Sequence, residues 1–249
     1  YMRGAVNPNI REQDVRKQSL LCGDCEQLFS GWEREFSWRA FPLIQDDNFE
    51  ELAYGSWLLK FAVSLSWRTL VTDRDAMIKD LPQFTRPVTE TLERWRRFLL
   101  GLQKSTGSEH HLFVVAGIPK SLPPGLHPKF LHYLMRSIDA TEAVSDRTVA
   151  VYVKLLRAIF YSPIVPAHPG GWRNTRIHAE EGRLGQHQVV SMGGFLEFLQ
   201  SRVEEVYAKP ITESQAKKIA EAMLKNPERV LASESMKVHF ASRRLFGKG

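Results

Sequence analysis

Apolar positions in the first hundred residues recur at helical spacing. Leu28, Phe29, Trp32 and Phe36 fall on one face of a segment that starts at Cys25, with Glu26, Glu33, Arg34 and Glu35 mostly elsewhere, which predicts a helix. Pro42 and Asp46-Asp47 punctuate the chain after it. A second helix is predicted over residues 50–72, where Leu52, Trp57, Leu58, Leu59, Phe61, Val63, Leu65, Trp67 and Leu70 leave almost no polar face, so it belongs at the centre of the fold. Its exceptions, Ser56, Lys60, Ser64 and Arg68, repeat every four residues and draw one polar stripe. That stripe is either a solvent-facing edge or a basic strip aimed at a phosphate. A third helix opens at Thr85, with the hydroxyl as cap and Pro87 in the first turn, and carries a seam of Val88, Leu92, Trp95, Leu99 and Leu102. Arg94, Arg96 and Arg97 lie off the seam beside Glu90 and Glu93, the pattern of a solvated, salt-bridged face.

The period then shortens. Residues 111–116, 130–138 and 148–164 read as β-type segments, the last too long for one flat strand, with a hairpin turn at Asp146-Arg147. Residues 172–179 and 183–190, joined across Glu181-Gly182, read as a second hairpin. An antiparallel sheet of about four or five strands follows. Helical spacing returns at Phe195, Leu199, Val203 and Val206 and stops at Lys209-Pro210. Thr212-Glu213-Ser214-Gln215 is a capping box that opens another helix, ended by Asn226-Pro227. After Glu234 no acidic residue remains, so the tail reads as basic and loosely held, and residues 1–19 read as a polar, extended arm. The fold class is α+β: a knuckle and helix at the start, long core helices, a mid-chain antiparallel sheet and C-terminal helices. Two units are expected, a knuckle-and-helix module over 1–45 and an α+β body with a basic tail over 46–249.

A chain of 249 residues with 43% hydrophobic and 25% charged residues has the balance of a folded protein. Its net charge of +6 points toward an anionic partner such as DNA or RNA. The longest apolar stretch, 52–71, is interrupted by Lys60 and Arg68, which argues against a membrane span. Only two cysteines are present, and they sit too close in sequence to build a disulfide framework, so a reducing, cytoplasmic setting is expected. The chain opens on Tyr1 rather than on Met, and residues upstream of Tyr1 are therefore expected.

Those cysteines carry the most specific chemistry. Cys22 and Cys25 have the C-x-x-C spacing that lets one tight turn present two thiolates to a zinc ion, half of a tetrahedral site. A redox pair and unligated thiols are the alternatives. His110, His111 and His168 are the histidines least trapped in apolar pattern, but their spacing matches no zinc finger. Glu26 and Glu33, seven residues apart, either bind a hard cation such as Mg²⁺ or merely complement the helix dipole. His168 stands in a Gly-Pro loop, with Asp139, Arg157, Arg173 and Arg176 on or near strands. Lys60, Arg68, Arg173 and Arg176 are the candidate nucleic-acid contacts. No phosphate-loop pattern and no Gly-x-Ser-x-Gly elbow is present, and no catalytic residue is assigned.

Gln13-Asp14, the stretch from Leu20 through Cys22-Gly23-Asp24-Cys25 to Glu33, Ser64-Leu65-Ser66-Trp67-Arg68 and Trp172-Arg173-Asn174-Thr175-Arg176-Ile177 together resemble a bacterial family related to HNH endonucleases. The resemblance runs from about residue 13 to the tail. It implies a treble-clef-like start in which Cys22 and Cys25 are the second knuckle. In that family a first C-x-x-C and a Ser-His-Ile-Pro-like segment come earlier in the chain, supplying the other zinc ligands and the histidine of the ββα-metal motif. This sequence contains neither. It also departs from active members after the knuckle, where Glu26 replaces the usual asparagine, and residues 26–41 hold no histidine to help bind a divalent cation. Two functions follow. One is a zinc-stabilised, HNH-like nucleic-acid-binding protein, a possible metal-dependent endonuclease whose catalytic half lies upstream. The other, favoured by Glu26, is a non-catalytic scaffold that binds protein partners in a bacterial defence or mobile-element complex.

Overall fold

A computed structural model describes residues 20–208 and 213–247. The expected arm over 1–19, the stop at Lys209-Pro210 and Thr212 of the capping box lie outside the described residues. Helix α1 (Gly23–Glu35) runs through a π-helical turn (Phe36–Ala40) into α2 (Phe41–Gln45). Strand β1 (Glu51–Tyr54) precedes the long α3 (Trp57–Asp80), and a 3₁₀ turn at Pro82–Phe84 leads to α4 (Thr85–Leu99). Then come β2 (His111–Val114), α5 (Phe130–Arg136), β3 (Ile138–Val144), β4 (Val149–Leu155) and β5 (Ala158–Val165). Short strands β6 (Trp172–Arg173), β7 (Gly182–Gly185) and β8 (Val189–Val190) precede α6 (Phe195–Tyr207), α7 (Glu213–Lys225), α8 (Pro227–Leu231) and α9 (Glu234–Phe246). The class is α+β.

The central sheet is antiparallel with order β2-β5-β4-β3. Strands β4 and β5 are buried on both faces, which is why residues 148–164 read as one apolar run. Side chains alternate across the sheet plane. Val149, Val151, Val153 and Phe160 face a core shared with α1, α3 and α4, whereas Ala150, Tyr152, Ile159 and Tyr161 face one shared with α5, α6 and α9. The molecule is therefore layered helix, sheet, helix. Helix α3 fills the first layer because it is apolar nearly all round, and α4 packs along it through Val88, Leu92, Trp95 and Leu99, the predicted seam short of Leu102, which is exposed.

Four expectations change. The central helix starts at Trp57, because Leu52 and Tyr54 alternate with exposed neighbours on β1. Residues 130–136 are helical rather than extended: Leu131, Tyr133 and Met135 mimic strand alternation, but Phe130 is buried beside them, and the segment packs on α6 and α9. The second hairpin forms at its open end, where β6 pairs antiparallel with β8, while β7 pairs with distant β1 instead of completing it. The basic end is not loose, because α9 buries Val238 and Ala241 against α5. In addition, α4 begins at Thr85 without a side-chain cap.

Each helical layer holds charge it must neutralise. Beneath α6, Arg202 grips Asp139 through Nε and Nη2, both at 2.9 Å, while Tyr133 donates to the same carboxylate at 2.8 Å and meets Tyr152 at 3.0 Å. Burial pushes the Lys154 ammonium down to about 7, and it donates to the Ser137 and Leu156 carbonyls. On β3, burial and then the Asp73 carboxylate raise Glu142 to about 7. The folded chain thus holds this proton more tightly than the unfolded chain does. Stability from it is complete below the ordinary carboxyl range near pH 4 and is lost as pH rises through about 7. Glu142→Gln removes that dependence, so thermal melts of variant and parent are expected to diverge between pH 5 and 8, by on the order of 1–3 kcal/mol. Parallel curves would refute it.

Candidate nucleic-acid interface

Strand β2 is the edge of the central sheet, and its outer side is covered by a segment too irregular to be a named strand. His111 bridges antiparallel to Arg176, Leu112 N–H donates to the Thr175 carbonyl at 2.8 Å, and Ile177 N–H donates to the His110 carbonyl at 2.8 Å. Just before β2, Glu109 N–H donates to the Ala167 carbonyl at 3.0 Å, which fixes the His168 loop beside it. Residues far apart in sequence thus converge on one carboxylate. Arg176 Nη1 lies 2.8 Å from Glu109 Oε1, His168 Nδ1 3.5 Å from the same oxygen, and His111 Nε2 3.4 Å from Oε2. Glu109 is mostly buried, while Arg176 and His168 are 54% and 66% exposed, so the guanidinium and the imidazole face outward from a fixed carboxylate.

The two histidines behind this cluster are neutral. Burial lowers His110 to about 3, and burial outweighs Glu109 in lowering His111 to about 4. His110 Nδ1 meets Ser162 Oγ at 2.7 Å, and Ser162 meets Ser66 Oγ at 2.7 Å. Because Ser66 donates to the Ala62 carbonyl at 2.9 Å, the chain of donors runs from His110 through Ser162 to Ser66. That assigns the proton to Nδ1 and leaves the buried Nε2 as an acceptor without a partner among the described residues, at the cleft wall.

Tyr54 sets the pitch of the covering segment. Its hydroxyl accepts from His178 N–H at 3.0 Å and faces the Arg176 carbonyl at 3.5 Å, holding the two residues that bracket Ile177. Strand pairing places Gly182 opposite Tyr54, and a Cβ there would collide with the phenol oxygen. Glycine is required by this close approach. From the other side, Trp95 Nε1 donates to Ser108 Oγ at 3.3 Å and anchors the polar 104–108 loop.

Two adjoining clefts result, of ≈ 450 Å³ and ≈ 330 Å³, and they share Arg176 and His178. Lys104 and His168 line the first, Arg183 and His187 the second. Among the described residues, Glu109 is the one acid lining either cleft. Arg183 is tied to Glu51 at 2.8 Å as Arg176 is to Glu109, and both guanidiniums stay exposed beside the histidines at the junction.

The other predicted residues lie elsewhere. Arg173, on β6, is exposed and does not line either cleft. The polar stripe of α3 runs along its contact with α1: Ser64 is buried, Lys60 Nζ sits 5.8 Å from the Trp32 ring, and Arg68 lies over Phe29 and bonds Glu33 at 2.8 Å. It is the docking line for α1. Glu33 is thereby engaged by a cation. Asp139 belongs to the Arg202 pair, and buried Arg157 donates to Asp47. Cys22 is the N-cap residue of α1 and Cys25 sits in its first turn, both accessible. The Cys25 backbone N–H, then its thiol, favour the Cys22 thiolate, while the hydrogen bond with Cys22 raises Cys25. Among the described residues no group of three His, Cys, Asp or Glu side chains is arranged to hold a metal ion. No described helix is long and apolar enough to cross a membrane.

No protein-family profile, no curated protein and no solved structure matches the chain.

Sequence reasoning passed over Glu109, Tyr54 and His178. Glu109 had a visible signal: it is the one carboxylate in a Ser-Thr-Gly loop, immediately before the two histidines already singled out. Tyr54 had none, because its partners lie more than a hundred residues away.

Proposed function

We propose that this is a zinc-stabilised, cytoplasmic nucleic-acid-binding protein related to HNH endonucleases, and that the double cleft at Arg176 receives the phosphate backbone. The observation that carries this reading is the junction itself, where Arg176, His168 and His178 line two adjoining clefts with Glu109 as the one acid among the described lining residues. A guanidinium offers paired N–H donors that match phosphate oxygens, and a groove lined by one sign of charge concentrates a polyanion. Arg176→Ala is expected to weaken binding of a fluorescent DNA or RNA oligonucleotide about 10-fold or more, as for a lost charge-assisted contact of 1.5–3 kcal/mol. Arg97→Ala, on the exposed face of α4, is the control and leaves binding unchanged. Equal loss in both variants would mean diffuse charge rather than a groove.

The cysteine pair fits zinc as far as it goes. Cys22 and Cys25 would supply two thiolates from the first turn of α1, with the remaining ligands coming from outside the described residues. Zinc bound there would act structurally, by tying α1 to whatever carries the other ligands. Protein purified from cells is expected to hold close to one zinc per chain, and the Cys22→Ser, Cys25→Ser double variant close to none, by elemental analysis. Equal zinc in both would remove the pair from the site.

The scaffold reading has its own support. Leu224 on α7 is 81% exposed and Trp38 76% exposed, apolar surface of the sort that protein partners cover. A stable complex that forms with undiminished affinity when Arg176 is replaced, with no oligonucleotide binding, would favour it.

A further inference from the structure

Resting on that reading of the cleft, we infer that the Glu109–His168–Arg176–His178 cluster is a site for cleaving RNA by internal transesterification. The reaction needs a base for the 2′-hydroxyl, an acid for the leaving 5′-oxygen and a cation at the phosphate. One cleft presents all of them: His168 and His178 as the two exposed imidazoles, and Arg176 between the two clefts. Glu109 gives His168 its orientation. With Nδ1 turned to the carboxylate at 3.5 Å, the Nε2 of His168 is left for substrate. The carboxylate is in turn held by Arg176 at 2.8 Å on one oxygen and approached by the neutral His111 at 3.4 Å on the other. A histidine aimed by a fixed carboxylate, with that carboxylate itself oriented by a third group, is the general arrangement of an activated base.

The step closes on these residues. His168 Nε2 takes the proton from the 2′-hydroxyl as the O2′–P bond forms. The P–O5′ bond breaks, and O5′ receives a proton from the His178 imidazolium. The products are a 2′,3′-cyclic phosphate and a 5′-hydroxyl, with no net oxidation and no added water. Arg176 binds the non-bridging oxygens, whose negative charge grows on the way. His168, His178 and Arg176 are the catalytic residues, and Glu109 is a positioning residue. Tyr54 fixes the spacing of Arg176 and His178 through the backbone groups it joins.

The experiment is a pair of assays on the full chain, as purified, with a labelled single-stranded RNA and its 2′-O-methyl counterpart, in buffer without added divalent metal. Anisotropy reads binding and a gel reads cleavage. Both oligonucleotides are expected to bind, and only the unmodified RNA to be cut, leaving a cyclic phosphate. His168→Gln and His178→Gln are expected to lower the rate about 10²–10⁴-fold with binding intact. Glu109→Gln is expected to lower kcat with KM unchanged, which a residue that merely supports the fold would not do. Cleavage of the 2′-O-methyl strand, or full activity in His168→Gln, overturns the inference. Binding of both strands with no cleavage overturns it and leaves the interface standing, whereas no binding of either strand removes both.

Discussion

Arg202→Ala is expected to destabilise the protein by about 3–5 kcal/mol, because it strands a carboxylate that the fold has taken out of water. Asp139 and Arg202 are 8% and 12% exposed and share two hydrogen bonds at 2.9 Å. Burial disfavours the guanidinium charge, and Asp139 more than offsets this by holding the proton on it. Without Arg202, Asp139 keeps the Tyr133 hydroxyl as its side-chain donor among the described residues, and burial already opposes deprotonation of that phenol. For a domain of this size the melting temperature should fall by roughly 6–20 °C. The double variant Asp139→Asn, Arg202→Met is expected to recover much of the loss, since neither partner is then charged. A double variant less stable than Arg202→Ala would show that the pair acts through something other than charge compensation.

Trp95→Ala is the second large effect, at about 3–5 kcal/mol from lost burial and the cavity left behind. The indole is fully buried, tilts against His110 at 5.3 Å and donates to Ser108 at 3.3 Å. It therefore joins the core of α4 to the loop that leads into Glu109. Trp95→Phe keeps most of the apolar contact and removes the donor, at about 1 kcal/mol. Chemical denaturation separates the two. The alanine variant is also expected to bind oligonucleotide more weakly than Trp95→Phe, because the 104–108 loop loses its anchor. Equal stability of the two variants would place the value of this residue in its hydrogen bond rather than in its packing.

What the sequence discloses depends on how local the cause is. Helices α3 and α4 are written in the spacing of their own residues, and the turn at Asp146-Arg147 in the break between β3 and β4. The pairing of β7 is not legible in that way. Gly182 is a strand residue because Tyr54 waits opposite it, so among the described residues the ladder across the Glu181-Gly182 turn is confined to Trp172-Arg173 with Val189-Val190. Helix α5 fails for a different reason: a segment of seven residues is too short for a 3.6-residue period to separate from a 2-residue one, and packing on α9 decides it.

The site divides along the same line. Arg176, His168 and His111 were visible as residue types in the right kinds of segment, but nothing local says that they share one carboxylate. Lys60 and Arg68 show the converse. Their four-residue spacing is the same for a stripe that faces phosphate and for one that receives another helix, and Trp32, Phe29 and Glu33 on α1 decide between the two. A charge pattern fixes a face of a helix, and what covers that face is a tertiary fact.

The central claim is that the Arg176 junction is an interface for a polyanion, and the salt dependence of binding tests it most directly. Displaced counterions make log K fall linearly with log salt, by about 0.7 per phosphate contact on a single strand and 0.9 on duplex DNA. Titration of a labelled oligonucleotide at a series of salt concentrations should give a line of clearly negative slope, and in Arg176→Ala the slope should shrink by about one contact. Binding that ignores salt, or a slope unchanged when Arg176 is replaced, would contradict the account.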